Sequence, residues 1–136
     1  MWISPHAEEF FGCLAPLLAS KEVNAMRQWR HHFSVTCYEH SLFVAYMAYR
    51  IAQRFGWDCR AAARAGLLHD LYLYDPADRS AHPGNQCLDH PVFALRNAQA
   101  LCPDLSAREA TAIVSHMFPL ALHLPRSRVA IAAPLA

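Results

Sequence analysis

"AGLLHDLYLYD", residues 65–75, is the stretch whose reading decides the fold. Small and apolar residues with helical character run into adjacent His69 and Asp70, and aromatic residues follow at once. The pattern reads as core, yet an imidazole and a carboxylate are costly to bury unless they are paired or bind a cation. The run extends back through "CRAAARAGLLHD", for which Asp58 is the natural N-cap.

Working outward, every long periodic segment predicts a helix. "TCYEHSLFVAYMAYRIAQRFG", residues 36–56, opens with capping-box spacing, Thr36 as N-cap and Glu39 three residues on, and closes on Gly56 as C-cap. Residues 6–19 place Phe10, Phe11, Leu14, Leu17 and Leu18 toward one face, and a short helix is expected around 22–30. Asp89 caps an expected helix at 90–101, with Pro91 in its first turn. Ser106 and Glu109 repeat the capping-box spacing for a helix ending near Pro119, and a last helical segment starts at about Arg126. The one long irregular stretch is "DPADRSAHPGNQCL", about 75–88, and loops of that length often build sites. With no strand-like alternation of useful length, no repeat and no boundary, the prediction is one all-α domain over residues 1–136.

The bulk numbers agree. The 136 residues are 54% hydrophobic and 17% charged, which suits a compact domain and argues against disorder. A net charge of +1 gives no electrostatic footprint for nucleic acid. No stretch reaches the roughly 20 apolar residues of a membrane span, since Arg50 and Arg54 break the longest candidate. Five cysteines without a C-x-x-C read as reduced thiols, and the opening "MWISPHAEEFFG" lacks signal-peptide character. A cytoplasmic protein is expected, with no membrane or nucleic-acid partner, and the sequence leaves room for a homodimer.

Nine histidines are many for this length. Four fall at expected helix ends: His40, His69, His90 and His116. Helix-terminal histidines gathered at one end of a bundle are a usual geometry for a metal site. Imidazole with carboxylate suits iron, manganese, cobalt, zinc or magnesium, whereas no thiolate set for a soft site is present. Helical neighbours diverge by about 100°, so His69 and Asp70 reach one centre only near the helix end. Taken singly, each histidine is more often a hydrogen-bonded core residue or a cap, and His6, His31, His32, His82 and His123 are read that way. Only the joint pattern points to metal.

"EHSLFVA" (39–45), "AARAGLLHD" (62–70), "HP" (90–91) and "HMFP" (116–119) together resemble the HD-domain superfamily of metal-dependent phosphohydrolases. A His is followed 29 residues later, from 40 to 69, by a His-Asp pair, with further histidines downstream. "VTCYEHSLFVAYMAYRIA" and "RAAARAGLLHDLYLYD" look especially like a bacterial subgroup of HD proteins. The resemblance covers roughly residues 30–136. It implies a helical bundle with one or two divalent metals at helix ends, iron, manganese, zinc, cobalt, nickel or magnesium. His40, His69 and Asp70 are then metal ligands, with Asp70 the bridge between two ions. His90 and His116 hold a second metal or touch substrate phosphate. His69 and Asp70 carry the catalytic assignment, and the implied substrate is a small phosphorylated molecule such as a nucleotide.

The family closes its metal motif with a later Asp, and none follows His116 in "HMFPLALHLPRSRVAIAAPLA". The apolar ending "VAIAAPLA" is expected to reflect truncation or altered coding. The alternative function is therefore a catalytically impaired HD fold that binds a ligand or regulates without turnover. Arg64 and Tyr72 are secondary candidates for substrate binding, although a solvated helix face and a core position are the ordinary explanations for them.

Overall fold

The structure, a computed structural model, describes residues 7–32, 34–73 and 86–115, with the side chains at 31–32, 86–91 and 114–115 left aside. Helix α1 spans Ala7–Leu18 and α2 spans Lys21–Ala25, capped by the Ser20 hydroxyl, which accepts from the Val23 N–H at 3.2 Å. One 3-10 turn, Met26–Gln28, leads into an antiparallel pair, β1 (Arg30–His32) and β2 (Val35–Thr36). Helix α3 covers Cys37–Phe55 and α4 Cys59–Leu68; α5 (Gln86–Leu101) and α6 (Ala107–Ser115) complete the described residues. The all-α expectation holds.

The caps expected of α3, α4 and α6 form as the sequence predicts. Thr36 and Glu39 exchange both capping-box bonds at 3.1 Å, so α3 starts at Cys37 and puts His40 in its first turn. Gly56 ends α3 in the left-handed region (φ 70°), a conformation glycine adopts without the steric cost a Cβ brings. Asp58 Oδ1 accepts the Ala61 N–H at 3.0 Å and starts α4. Ser106 and Glu109 form the second box at 2.9 and 3.1 Å.

Three expectations need correction. The helix expected around 22–30 stops at Ala25, because Trp29 is already extended and its carbonyl accepts the Cys37 N–H at 2.9 Å across the hairpin. Strands of three and two residues are too short to show alternation in sequence. Helix α5 begins at Gln86, so Asp89 and Pro91 lie inside it and Asp89 is not its N-cap. The irregular stretch of 75–88 otherwise falls outside the described residues, as do the end expected near Pro119 and the last segment from Arg126.

Helix α4 is the centre of the bundle. Every residue from Ala61 to Tyr72 is buried, and the helix packs against α1, α3, α5 and α6. Its alanines and Gly66 let neighbouring backbones come close. A Cβ on Gly66 would lie 2.7 Å from Ala45 Cα and 3.1 Å from the Val44 carbonyl, so α3 and α4 touch backbone to backbone there. Around this contact Phe10, Leu14, Met26, Tyr49, Leu67, Leu68, Leu71 and Ile113 form the core. Phe10 packs edge-on against Tyr46 at 5.2 Å and tilted against Tyr49 at 5.4 Å, joining α1 to α3.

Burying α4 also buries Arg64, 3% exposed. Its Nε faces Glu109 Oε2 at 3.0 Å, and its two Nη atoms face the Asp104 carboxylate at 3.3 and 3.4 Å. Glu109 thus caps α6 with one oxygen and meets a buried cation with the other.

Two outcomes follow for unfolding in denaturant. Gly66→Ala should lower stability by about 1–3 kcal/mol, the usual cost of overpacking, because the clash is with backbone. Glu109→Ala should cost about 3 kcal/mol, since it strands a buried charge, whereas Asp104→Ala should cost far less because its carboxylate is largely in solvent. Equal losses for the two acids would refute this division of labour.

Candidate metal centre

α4 ends at Leu68, and His69 and Asp70 occupy the turn beyond it, both buried, at 6% and 3% exposure. The approach of α3 at Gly66 brings the first turn of that helix alongside. His40 Nε2 lies 3.6 Å from Asp70 Oδ2, and His69 Nε2 lies 3.1 Å from the same oxygen. The two imidazole rings sit 5.5 Å apart, inclined at 54°. One donor atom from each of His40, His69 and Asp70 falls within 4.8 Å of the other two.

The hydrogen bonding of His69 fixes its chemistry. Nδ1 is 2.6 Å from the Gly66 carbonyl oxygen, which can only accept, so Nδ1 carries the proton and donates. That leaves Nε2, 3.1 Å from a carboxylate oxygen. Two lone pairs facing each other at that distance repel, so a cation must stand between them, either a proton or a metal ion. Burial acts to lower the His69 pKa, but the charge of Asp70, its hydrogen bond and the Gly66 contact together raise it above the ordinary imidazole value. Without metal the proton takes the place.

The donor set fits a metal. Atoms bound to one ion at about 2.0–2.2 Å stand roughly 3–3.5 Å apart, close to the 3.1 and 3.6 Å seen here. Two imidazoles and a carboxylate suit divalent first-row metals. Cys37, buried nearby, is not part of this donor group: its Sγ lies 3.6 Å from the Asp70 carbonyl oxygen, and burial, then the Asp70 charge, pushes its thiol up to about 12. The cysteines among the described residues, Cys13, Cys37, Cys59 and Cys102, are all free.

The other sequence candidates fare differently. His90 lies within α5, its side chain outside the described part, and His116 lies just past Ser115, outside the described residues. Arg64 does not lie on the solvated helix face expected of it: it is buried, and its guanidinium faces Glu109 and Asp104. Tyr72 is a core residue, 5% exposed, with its hydroxyl 3.8 Å from Cys37 Sγ. Two positions that matter were not found from the sequence. Gly66 both admits α3 and orients His69; a lone Gly within an alanine-rich helix was the available signal. Asn97 donates from Nδ2 to the Leu71 carbonyl at 2.8 Å, and nothing in its sequence context marks it.

No helix among the described residues is long and apolar enough to cross a membrane. No curated protein and no solved structure matches the chain. The HD domain family model, by contrast, matches residues 37–133, a span that begins with the helix of His40 and includes His69 and Asp70. With most of its 136 residues matched, the chain belongs to the HD domain family.

Proposed function

We propose that the chain is a metal-dependent phosphohydrolase acting on a small phosphorylated molecule, with a nucleotide as one candidate. HD domains are generally metal-dependent hydrolases, which supports the class of reaction. The observation that carries the reading is the His69 arrangement, with Nδ1 fixed on Gly66 and Nε2 turned toward Asp70 and the neighbouring His40. His40, His69 and Asp70 are the ligands in this reading. A divalent cation held there supplies a water of lowered pKa as nucleophile and offsets negative charge on a phosphoryl group.

The chain's own residues do the rest. The Gly66 carbonyl holds His69 in the tautomer that presents Nε2, and such a contact also raises the basicity of a ligand imidazole. Burial of His69 and Asp70 keeps bulk water from competing with them. His40, the most exposed of the three side chains at 26%, marks the side from which a substrate enters. In this reading His90 and His116 would be ligands to a second metal or contacts to phosphate, and Asp70 would serve both metal positions.

A second reading has one observation in its favour. No Asp or Glu stands between His116 and Ala136, so the later carboxylate of the family motif is not among these residues. The second reading is an HD fold that would bind metal and an anionic ligand without turnover.

The experiment that tests the proposal is release of p-nitrophenol from p-nitrophenyl phosphate and from its diester, and of phosphate from nucleoside monophosphates, by the metal-loaded chain. Release should be removed by EDTA and should fall to background in Asp70→Ala. Unchanged release in that variant would contradict the proposal, and metal binding without release from any ester would favour the second reading. Asp70→Ala should also abolish metal uptake, whereas His90→Ala should reduce it less.

The pH dependence has a definite sign. The His69 pKa is raised in the metal-free fold, so its proton adds stability below the unfolded value of about 6.5, and that contribution is lost as pH rises through the folded value. Metal must displace this proton. Affinity measured by isothermal titration should therefore begin to fall at a pH above 6.5 on acidification, by up to about tenfold per unit for one competing proton. A flat affinity between about pH 5 and 8 would exclude histidine ligation.

A further inference from the structure

The carboxylate of Asp70 sits one residue beyond the C-cap of α4, where the repeating helical hydrogen bonds have ended. A backbone bond reaches this turn from the helix, Leu71 N–H to the Leu68 carbonyl at 3.2 Å. The next peptide groups are held instead by side chains from two other helices. Cys37 Sγ–H points at the Asp70 carbonyl oxygen, 3.6 Å away, and Asn97 Nδ2 donates to the Leu71 carbonyl at 2.8 Å. Two residues later Leu73 takes a left-handed backbone (φ 62°), which an L-residue other than glycine holds only where its surroundings impose it.

We propose that Cys37 and Asn97 are positioning residues of the metal centre, fixing the two peptide planes that aim the Asp70 carboxylate at His40 and His69. The inference rests on the metal reading above. The geometry gives each residue a distinct part. Cys37 is the first residue of α3 and His40 lies three residues on, on the same side of the helix. Its contact with the Asp70 carbonyl therefore ties the His40 turn to the Asp70 turn, across the 3.6 Å gap between their donor atoms. Asn97 ties the same turn to α5, whose Ala94 and Ala98 pack in the core. Outer contacts of this kind orient metal ligands, and their loss typically costs about 10–100-fold in affinity.

The test compares Asn97→Ala and Cys37→Ala with Asp58→Ala, which removes the N-cap of α4 at the end remote from the site. Metal affinity is titrated with Co2+, whose visible bands report ligand geometry, at a temperature where circular dichroism shows every variant folded. Asn97→Ala should weaken binding by about 10-fold or more and shift the Co2+ bands, with Cys37→Ala smaller in the same direction. Asp58→Ala, although less stable, should bind within about twofold of the unaltered chain, because cap loss acts on the fold and not on the ligands. Cys37→Ser, which keeps a donor, should recover part of the Cys37→Ala loss. Unchanged affinity and bands in both Asn97→Ala and Cys37→Ala would overturn the inference while leaving the metal reading intact. An equal loss in Asp58→Ala would overturn it too, by showing that general destabilisation is enough. An unaltered chain that takes up no metal would overturn the metal reading itself, and the inference with it.

Discussion

The candidate site depends on one contact, the backbone approach of α3 and α4 at Gly66. With no Cβ there, the α4 backbone lies against Ala45, and the start of α3 comes level with the end of α4. His40 thereby reaches Asp70. The same glycine's carbonyl then receives Nδ1 of His69 and turns Nε2 inward. A single residue without a side chain sets both the separation of two helices and the tautomer of a ligand histidine.

Burial gives the site its electrostatic character. From Ala61 onward α4 is buried, so the polar groups there need partners within the protein. The helix solves this differently at two places. Arg64 is neutralised by Glu109 and Asp104, whose carboxylates lie 3.0 and 3.3 Å from its guanidinium. His69 and Asp70, with His40, present two imidazoles to one carboxylate. The first cluster fastens α6 to the core, and the second is a donor set that could hold a metal ion.

Much of this was legible in the sequence, for reasons that differ by element. Thr36–Glu39, Asp58 and Ser106–Glu109 mark helix starts because capping is local chemistry, encoded within four residues. His40, His69 and Asp70 were legible jointly, through their spacing and their place at helix ends. The hairpin at 30–36 was not, since its pairing is fixed by contacts with Trp29 and Cys37 and not by any alternation of its own. Arg64 misled for a similar reason: its partners lie 40 and 45 residues away, at 104 and 109, and only the tertiary fold shows that its charge is already met. Asn97 and Cys37 act on backbone carbonyls, and a carbonyl carries no signature in sequence.

The central claim is that His40, His69 and Asp70 form one metal site. The most direct measurement is elemental metal content per chain, for protein prepared without a polyhistidine tag or chelator, alongside His40→Ala and His69→Ala prepared in the same way. The account predicts one or two equivalents of a divalent transition metal or magnesium in the unaltered chain and a marked loss in each variant. A folded, unaltered chain that carries no metal and takes up none when it is supplied would contradict it.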